Sequence, residues 1–325
     1  MALAGVAPER ALAGATGGGG NFPTHPRWKF VFVSHLTTSP LFVPLQYGVQ
    51  DACALVECTY RWTGSPSGKP SDVAKAVSSA VAAKADGIAV PLVDNALLGG
   101  PIASALQSGI PVIAYQADAS GGDRRIRFVG QDPYVAGSMI GERISGLARS
   151  GRVALFASDP HVAPVRLRVK GALAAIRKAR AAIQVDVVAT THDPYDAATR
   201  IDRHVLERKG LRGLFALESV ASEGIERAVV KHSLRAKGVK AGGYGVFPAT
   251  LNKIQGGILD YTVDEQPYLQ GFVPTLQLFL AKLSGGLLAP SDTHLPLLFV
   301  TKANLGPYLA KTRYEGSSSK HRYPI

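Results

Sequence analysis

What most constrains this chain is an alternation that hardly lapses: apolar runs, each followed by a polar or Gly/Pro loop and then a helical stretch, recur from Lys29 to Thr301. Strands spaced by helices bury both their faces only in a parallel sheet covered by helices on either side. Strands are expected over Lys29–Ser34, Val56–Trp62, Gly87–Leu92 and Pro111–Tyr115, with a short one near Arg127–Val129. Helices are expected over Leu41–Ala54, Ser71–Ala85, Ala96–Gln107 and Tyr134–Ser150. A second series has strands at Val153–Ala157, Val185–Ala189, Leu214–Ala216, Lys240–Gly243 and Leu259–Val263. Its helices are Val165–Arg180, Ala197–Arg208, Ser222–Ser233 and Pro248–Gln255; one more helix, Gln266–Leu283, and a late strand, Leu297–Thr301, follow. The count predicts an α/β protein of two similar, doubly wound lobes, since 325 residues exceed one comfortable core. Ligands of such sheets bind at the carboxyl ends of the strands, which makes the loop after Val31–Ser34 the first candidate site.

Several functional classes are disfavoured. No run of eighteen apolar residues would span a bilayer. The net charge of +12 would suit a polyanion, but the cations are scattered along the sequence and no nucleic-acid reading module precedes Trp28, so they read as solvated surface. Residues 1–27 are Gly/Ala-rich, lack the basic start and apolar core of a signal peptide, and read as a flexible tail; residues 313–325 read as another. There is no phosphate loop, no convincing G-x-G-x-x-G, no H-E-x-x-H and no G-x-S-x-G. Ser317–Lys320 fits S-x-x-K only within the polar tail, and His25, His35 and His161 are too dispersed for a metal, so neither catalysis nor a cofactor is expected. The only cysteines, Cys53 and Cys58, are close enough to form a small-loop disulfide or to stay a free buried pair; their isolation favours an oxidising compartment.

The order of motifs from Trp28 to Pro307 resembles the periplasmic sugar-binding proteins of ATP-binding-cassette importers, of the ribose-binding type. The carriers are S-H-L-T-T-S-P-L-F from Ser34, K-A-D-G-I-A-V-P-L-V-D to Asp94, G-I-P-V-I-A-Y-Q-A-D to Asp118 and F-V-G-Q-D to Asp132. R-V-K-G-A-L at Arg168, L-F-A-L-E to Glu218 and D-E-Q-P-Y-L-Q-G around Glu265 complete them. The resemblance implies a type I periplasmic binding fold whose chain crosses between lobes near Gln131, Glu265 and Pro290. The first lobe would then hold 28–131 with 266–290, the second 132–265 with 291–312.

It also implies an extracytoplasmic receptor, probing no chemistry, that captures a monosaccharide or polyol, closes on a hinge and delivers it to a membrane permease. The sensor half of a lactose-repressor-like regulator without its DNA-binding head is the alternative. The implied ligand contacts are Ser34, His35, Ser39, Leu41, Phe42, Gln116, Asp118, Arg168, His192, Glu218, Tyr244 and Glu265. Phe42 is a ring contact in that scheme and equally a core residue at a helix start. Leu41 stands where an aromatic is usual, Ala117 where ribose binders carry Arg, and Gly245 where many relatives have Asp, so a ligand other than simple ribose is expected. No nucleic acid is expected as a partner, and the protein is expected to be a monomer.

Overall fold

A computed structural model describes residues 23–118, 127–179 and 182–309. Most of the Gly/Ala-rich start, the polar end from residue 310 and the S-x-x-K match lie outside the described residues. The first sheet contains β1 (Lys29–Ser34), β2 (Thr59–Gly64), β3 (Gly87–Leu92), β4 (Val112–Asp118) and β5 (Phe128–Gly130), all parallel, in the order β5-β4-β3-β1-β2. Helices α1 (Val43–Leu55), α2 (Pro70–Ala82) and α3 (Asn95–Gln107) make its crossovers. The central strand β3 is buried at every position, as a parallel strand covered on both faces must be.

The chain then builds a second sheet from α4 (Pro133–Leu147), β6 (Ser150–Ala157), α5 (Ala163–Lys178), β7 (Ala182–Ala189), α6 (Pro194–Glu207), β8 (Leu211–Ala216), α7 (Val220–Lys231), β9 (Lys240–Gly242), α8 (Pro248–Gln255) and β10 (Thr262–Asp264). Its parallel order is β7-β6-β8-β9, and a lone parallel bridge from Gly242 to Tyr261 leads to β10. Helix α9 (Pro267–Leu283) returns to the first lobe, where β11 (Thr293–His294) pairs with β5. Strand β12 (Leu298–Val300) then runs antiparallel to β10, and α10 (Gly306–Leu309) closes the described chain. The chain therefore leaves the first sheet after His294, beyond the crossing expected near Pro290.

Local sequence explains the element limits. Proline opens α2, α4, α6, α8 and α9, where its missing N–H costs nothing. Asp94, Asp132 and Asp193 cap α3, α4 and α6 by accepting from backbone N–H groups. The expected strand from Val56 starts only at Thr59, because Val56 caps α1 and Glu57 takes a left-handed φ of 51° before the chain extends. The expected helix from Leu41 is preceded by a separate 3-10 turn over Pro40–Phe42. His25, assigned to the tail by sequence, stacks on Trp28 with ring centroids 5.0 Å apart. Cys53 and Cys58 are joined as a buried disulfide between the end of α1 and the approach to β2.

One packing device occurs in both lobes. A methyl group on Gly48 would lie 2.0 Å from the Tyr268 carbonyl oxygen, and one on Gly271 2.1 Å from that of Leu45, so α1 and α9 touch backbone to backbone. In the second lobe a methyl on Gly171 would lie 2.1 Å from the Tyr134 carbonyl oxygen and one on Gly137 2.0 Å from that of Arg168. Each pair has the same three-residue offset, Leu45 to Gly48 and Arg168 to Gly171 on one helix, Tyr268 to Gly271 and Tyr134 to Gly137 on the other. The lobes are thus structural repeats in which Arg168 occupies the place of Leu45.

Candidate functional site: the cleft between the lobes

Strand β1 ends at Ser34, which is fully buried and committed to the turn: its carbonyl accepts from Ser65 N at 3.0 Å and its Oγ from Leu36 N at 3.2 Å. Ser39 caps the following 3-10 turn, its Oγ accepting from Leu41 N at 3.4 Å. Leu41 is half-buried beside it. Phe42 is 1% exposed and packs between His35, edge-on at 5.3 Å, and Trp62 at 5.9 Å. Of the two roles open to Phe42, the structure gives it the core one, and it backs the half-buried His35 and Trp62 that stand in front. Trp62 was missed by sequence because its only signal is its place near the carboxyl end of an edge strand.

On the same lobe, β4 slips against β3 between Val90 and Leu92, and Gln116 in that bulge has a left-handed φ of 62°. A non-glycine residue held there costs energy, and such outliers cluster at binding sites. Asp118 ends the strand, half-buried and in register with Leu92.

The second lobe supplies charge. Arg168, on α5, donates from Nη1 to the Leu217 carbonyl at 2.7 Å and lies over the Tyr244 ring, 5.1 Å from its centroid. Burial works against its charge, but Tyr244, Glu218 and Glu265 more than offset this and hold its pKa above the ordinary arginine value. Glu218 follows β8, and its Oε2 accepts from Ser158 N at 2.7 Å and from Ser158 Oγ, tying together the ends of β6 and β8. Tyr244 is buried, its backbone N–H donating to Ser222 Oγ at 2.7 Å and its hydroxyl facing Glu265; burial above all pushes its pKa up. Burial likewise raises the Glu265 carboxyl, against the pull of Arg168. These four residues come from four separate segments, and the structure gathers them into one cluster.

The walls face each other. His192, exposed on the loop after β7, is near enough to His35 to disfavour its protonation; with burial as the larger cause, the His35 pKa is pushed down to about 4. A neutral imidazole offers one donor and one acceptor.

The crossings carry further polar groups that the sequence placed in motifs without giving them a ligand contact. Gln131 Nε2 donates to the Pro296 carbonyl at 3.3 Å, linking the first and third crossings. At the second crossing the buried Asp264 accepts from Gln266 N at 2.8 Å, from Gln266 Nε2 at 2.5 Å and from the Tyr308 hydroxyl at 2.9 Å, holding Gln266 at a left-handed φ of 57°.

Buried polar atoms without a protein partner among the described residues include His35 Nδ1, Trp62 Nε1, Gln116 Oε1, Gln131 Oε1 and Arg168 Nε. Such atoms are rare in folded proteins, and these five, donors and acceptors alike, belong to strand ends, the first crossing and α5 around the cleft, while others such as those of Asp186, His204 and Glu226 lie elsewhere in the second lobe. A concavity of about 600 Å3 lined by Arg27, Gln50, Glu57, Tyr60 and the disulfide lies at the opposite, amino ends of β1 and β2, and none of these orphaned atoms belongs to it. The cleft is therefore the stronger site. Among the described residues no cluster of three His, Cys, Asp or Glu is disposed to hold a metal, and no helix is long and apolar enough to cross a membrane.

Comparison with known proteins agrees with this geometry. Residues 30–285 match the family described as the periplasmic binding protein domain. The chain is 37% identical over 317 residues to the xylose/arabinose-binding protein XylF of Sulfolobus acidocaldarius, covering 93% of this chain and 78% of that protein. Among solved structures, a solute-binding protein of Burkholderia graminis in complex with D-arabinose superposes with a TM-score of 0.79 at 20% identity, over 87% of this chain and 98% of that one. AraP, an arabinose-binding protein of Geobacillus stearothermophilus, gives 0.75 at 23% identity over 88% and 100%. The chain belongs to the periplasmic binding protein domain family.

Proposed function

With that membership as premise, we propose that the protein is an extracytoplasmic receptor that captures a monosaccharide or polyol between its lobes, closes on the three crossings and hands its ligand to the permease of an ATP-binding-cassette importer. The observation that carries this reading is the cluster of buried Tyr244 with half-buried Arg168, Glu218 and Glu265, set across the cleft from orphaned polar atoms of the first lobe. In this reading the guanidinium fork of Arg168 binds adjacent hydroxyls as a donor, Glu265 and Glu218 accept from hydroxyls, and Gln116 and the neutral His35 bond from the other side. Trp62, His35 and half-buried Leu41 provide the apolar contact for the ring's C–H face. Ser34, Ser39 and Phe42 shape the loop from behind.

Magnitudes are adequate. A hydrogen bond to a charged group contributes about 1.5–3 kcal/mol, and three such bonds approach the roughly 8 kcal/mol of a micromolar complex. Ligand contacts divided between two lobes favour the closed arrangement over the open one, which is what hinge closure requires. No group in the cluster is arranged as a nucleophile with its base, so binding without chemistry is the expected activity.

The test is a thermal-shift screen against pentoses, hexoses, deoxysugars and polyols, pentoses first because the XylF relative is named for two of them. A saturable rise in melting temperature with one or a few sugars, lost in Arg168→Ala and weakened in Gln116→Ala, is expected. No shift across the panel, by a protein that melts cooperatively, would overturn the reading.

A further inference from the structure

In the second lobe every strand of the sheet β7-β6-β8-β9 runs the same way, so the turns that lead from each helix into the next strand all emerge on one face, opposite the cleft. The register places Ser150 beside Ala182, Arg152 beside Leu211 and Gly213 beside Lys240 along that edge. Arg149, Arg177, Lys178, Lys209, Arg212 and Lys237 all lie in these turns or immediately beside them, and all six are exposed. Other described cations there have partners, Arg152 with Asp186, Lys231 with Asp202 and Arg235 with Asp260, and Glu207 is an exposed carboxylate in the same set of turns. None of the six is paired with a carboxylate among the described residues.

Cations suit the carbonyl ends of helices, which explains one or two per helix end. It does not explain the contrast with the first lobe. There the corresponding turns carry Arg27 and Lys29 before β1, Glu57 before β2, Lys84 with Asp86 before β3, and no charge at all between Ser108 and Pro111, and Lys282 is paired with Asp86 at 3.6 Å. The same architecture has a weakly cationic base in one lobe and a strongly cationic base in the other.

Two exposed aliphatic side chains accompany the cations. Leu206, in the last turn of α6, is 65% exposed, and Val230, in the last turn of the adjacent α7, is 52% exposed. A surface that mixes aliphatic side chains with lysine and arginine, without exposed aromatic rings for base stacking in these turns, matches the headgroup region of an anionic bilayer better than a soluble polyanion.

We propose that the base of the second lobe is an electrostatic docking face for anionic lipid headgroups. It tethers the receptor by the tip remote from the cleft and leaves the cleft unobstructed. Long-range attraction to a negative leaflet adds with each cation and decays within a Debye length, so the contact is reversible and salt-sensitive.

The experiment is co-sedimentation of the full-length protein with vesicles of phosphatidylcholine alone or with about 30% phosphatidylglycerol at low ionic strength. Binding is expected only to the anionic vesicles and should be abolished by about 0.5 M NaCl. The triple variant Arg177→Glu/Lys178→Glu/Arg212→Glu should bind at least about 100-fold more weakly. Arg61→Glu/Lys69→Glu/Lys84→Glu, which makes the same change in net charge on exposed positions of the first lobe, should retain most of the binding. Melting temperatures of both variants check that they fold. No binding to anionic vesicles, equal loss in the two variants, or binding to heparin with none to vesicles would overturn the proposal.

Discussion

The two lobes share strand order and even the glycine contacts that bring their helix pairs together, yet they put opposite chemistry at the same place. Where α1 turns Leu45, 1% exposed, into an apolar core, α5 puts Arg168 under Tyr244. Where the first lobe lines its edge with Trp62 and a neutral His35 over the core Phe42, the second brings Glu218 and Glu265 around the guanidinium. A duplicated frame can be maintained by backbone contacts alone, and its side chains are then available to make one wall apolar and the other polar. A ring with a C–H face and a hydroxyl edge needs walls of both kinds.

The largest effect should separate the paired positions Arg168 and Leu45. Arg168→Ala is expected to weaken sugar binding by about 100-fold or more, because it deletes charged hydrogen bonds and leaves two carboxylates without their counter-charge. Leu45→Ala should instead cost about 2–5 kcal/mol of stability with little change in affinity once folded. Titration calorimetry and denaturant melts on both variants would break the comparison if the two phenotypes coincided.

Protonation provides the next test. His35 has a folded-state pKa near 4 against an ordinary 6.5, so the unfolded chain takes up its proton first. Its contribution to stability is complete above about 6.5 and is lost as pH falls toward 4, on the order of 3 kcal/mol in all. Burial raises Asp264 and Glu265 at the second crossing, and they act in the opposite sense: their protonated forms favour the fold, and stability is lost as pH rises through their raised pKa values. His35→Asn should flatten the acid limb of a melting-temperature profile between pH 6.5 and 4, and Asp264→Asn should flatten the opposing slope.

The glycine contacts give a smaller, sharper contrast. Gly271→Ala and Gly137→Ala each force a methyl group against a helix backbone, and each should cost about 1–3 kcal/mol. Only Gly137→Ala pushes on the backbone of Arg168, so only it should also lower sugar affinity; equal affinities would mean that α5 absorbs the shift without moving its guanidinium.

The smallest effect concerns Glu226, a carboxylate 4% exposed on α7 whose pKa burial raises. Glu226→Gln should raise the melting temperature by about 2–4 °C at neutral pH. The gain should vanish below the ordinary carboxyl pKa of 4.5, where both side chains are neutral.

Much of the frame was legible in the sequence. Strands β1 and β3 and helix α8 fall where alternation and turn residues put them, because period and capping are local properties. The limits that shifted did so for local conformational reasons that composition hides, such as the left-handed Glu57 before β2 and the short pairing of β11 with β5. Arg168, Glu218, Tyr244 and Glu265 were singled out by motif order, but nothing in one sequence says that they touch. Trp62 carried no motif, whereas Gln131, Asp264 and Gln266 stood inside F-V-G-Q-D and D-E-Q-P-Y-L-Q-G, but their roles emerged only from burial and hydrogen bonding.

By itself, then, the sequence determined a two-series α/β chain, its helix starts, and a set of polar residues at strand ends. Tertiary structure alone decided that Phe42 is core, that His192 lies near enough to His35 to disfavour its protonation, and that cations scattered through the second lobe converge on one exposed base. The reason is geometric. Parallel strands bring the same ends of segments far apart in sequence to a common face, and a contact made across that face leaves no periodic trace along the chain.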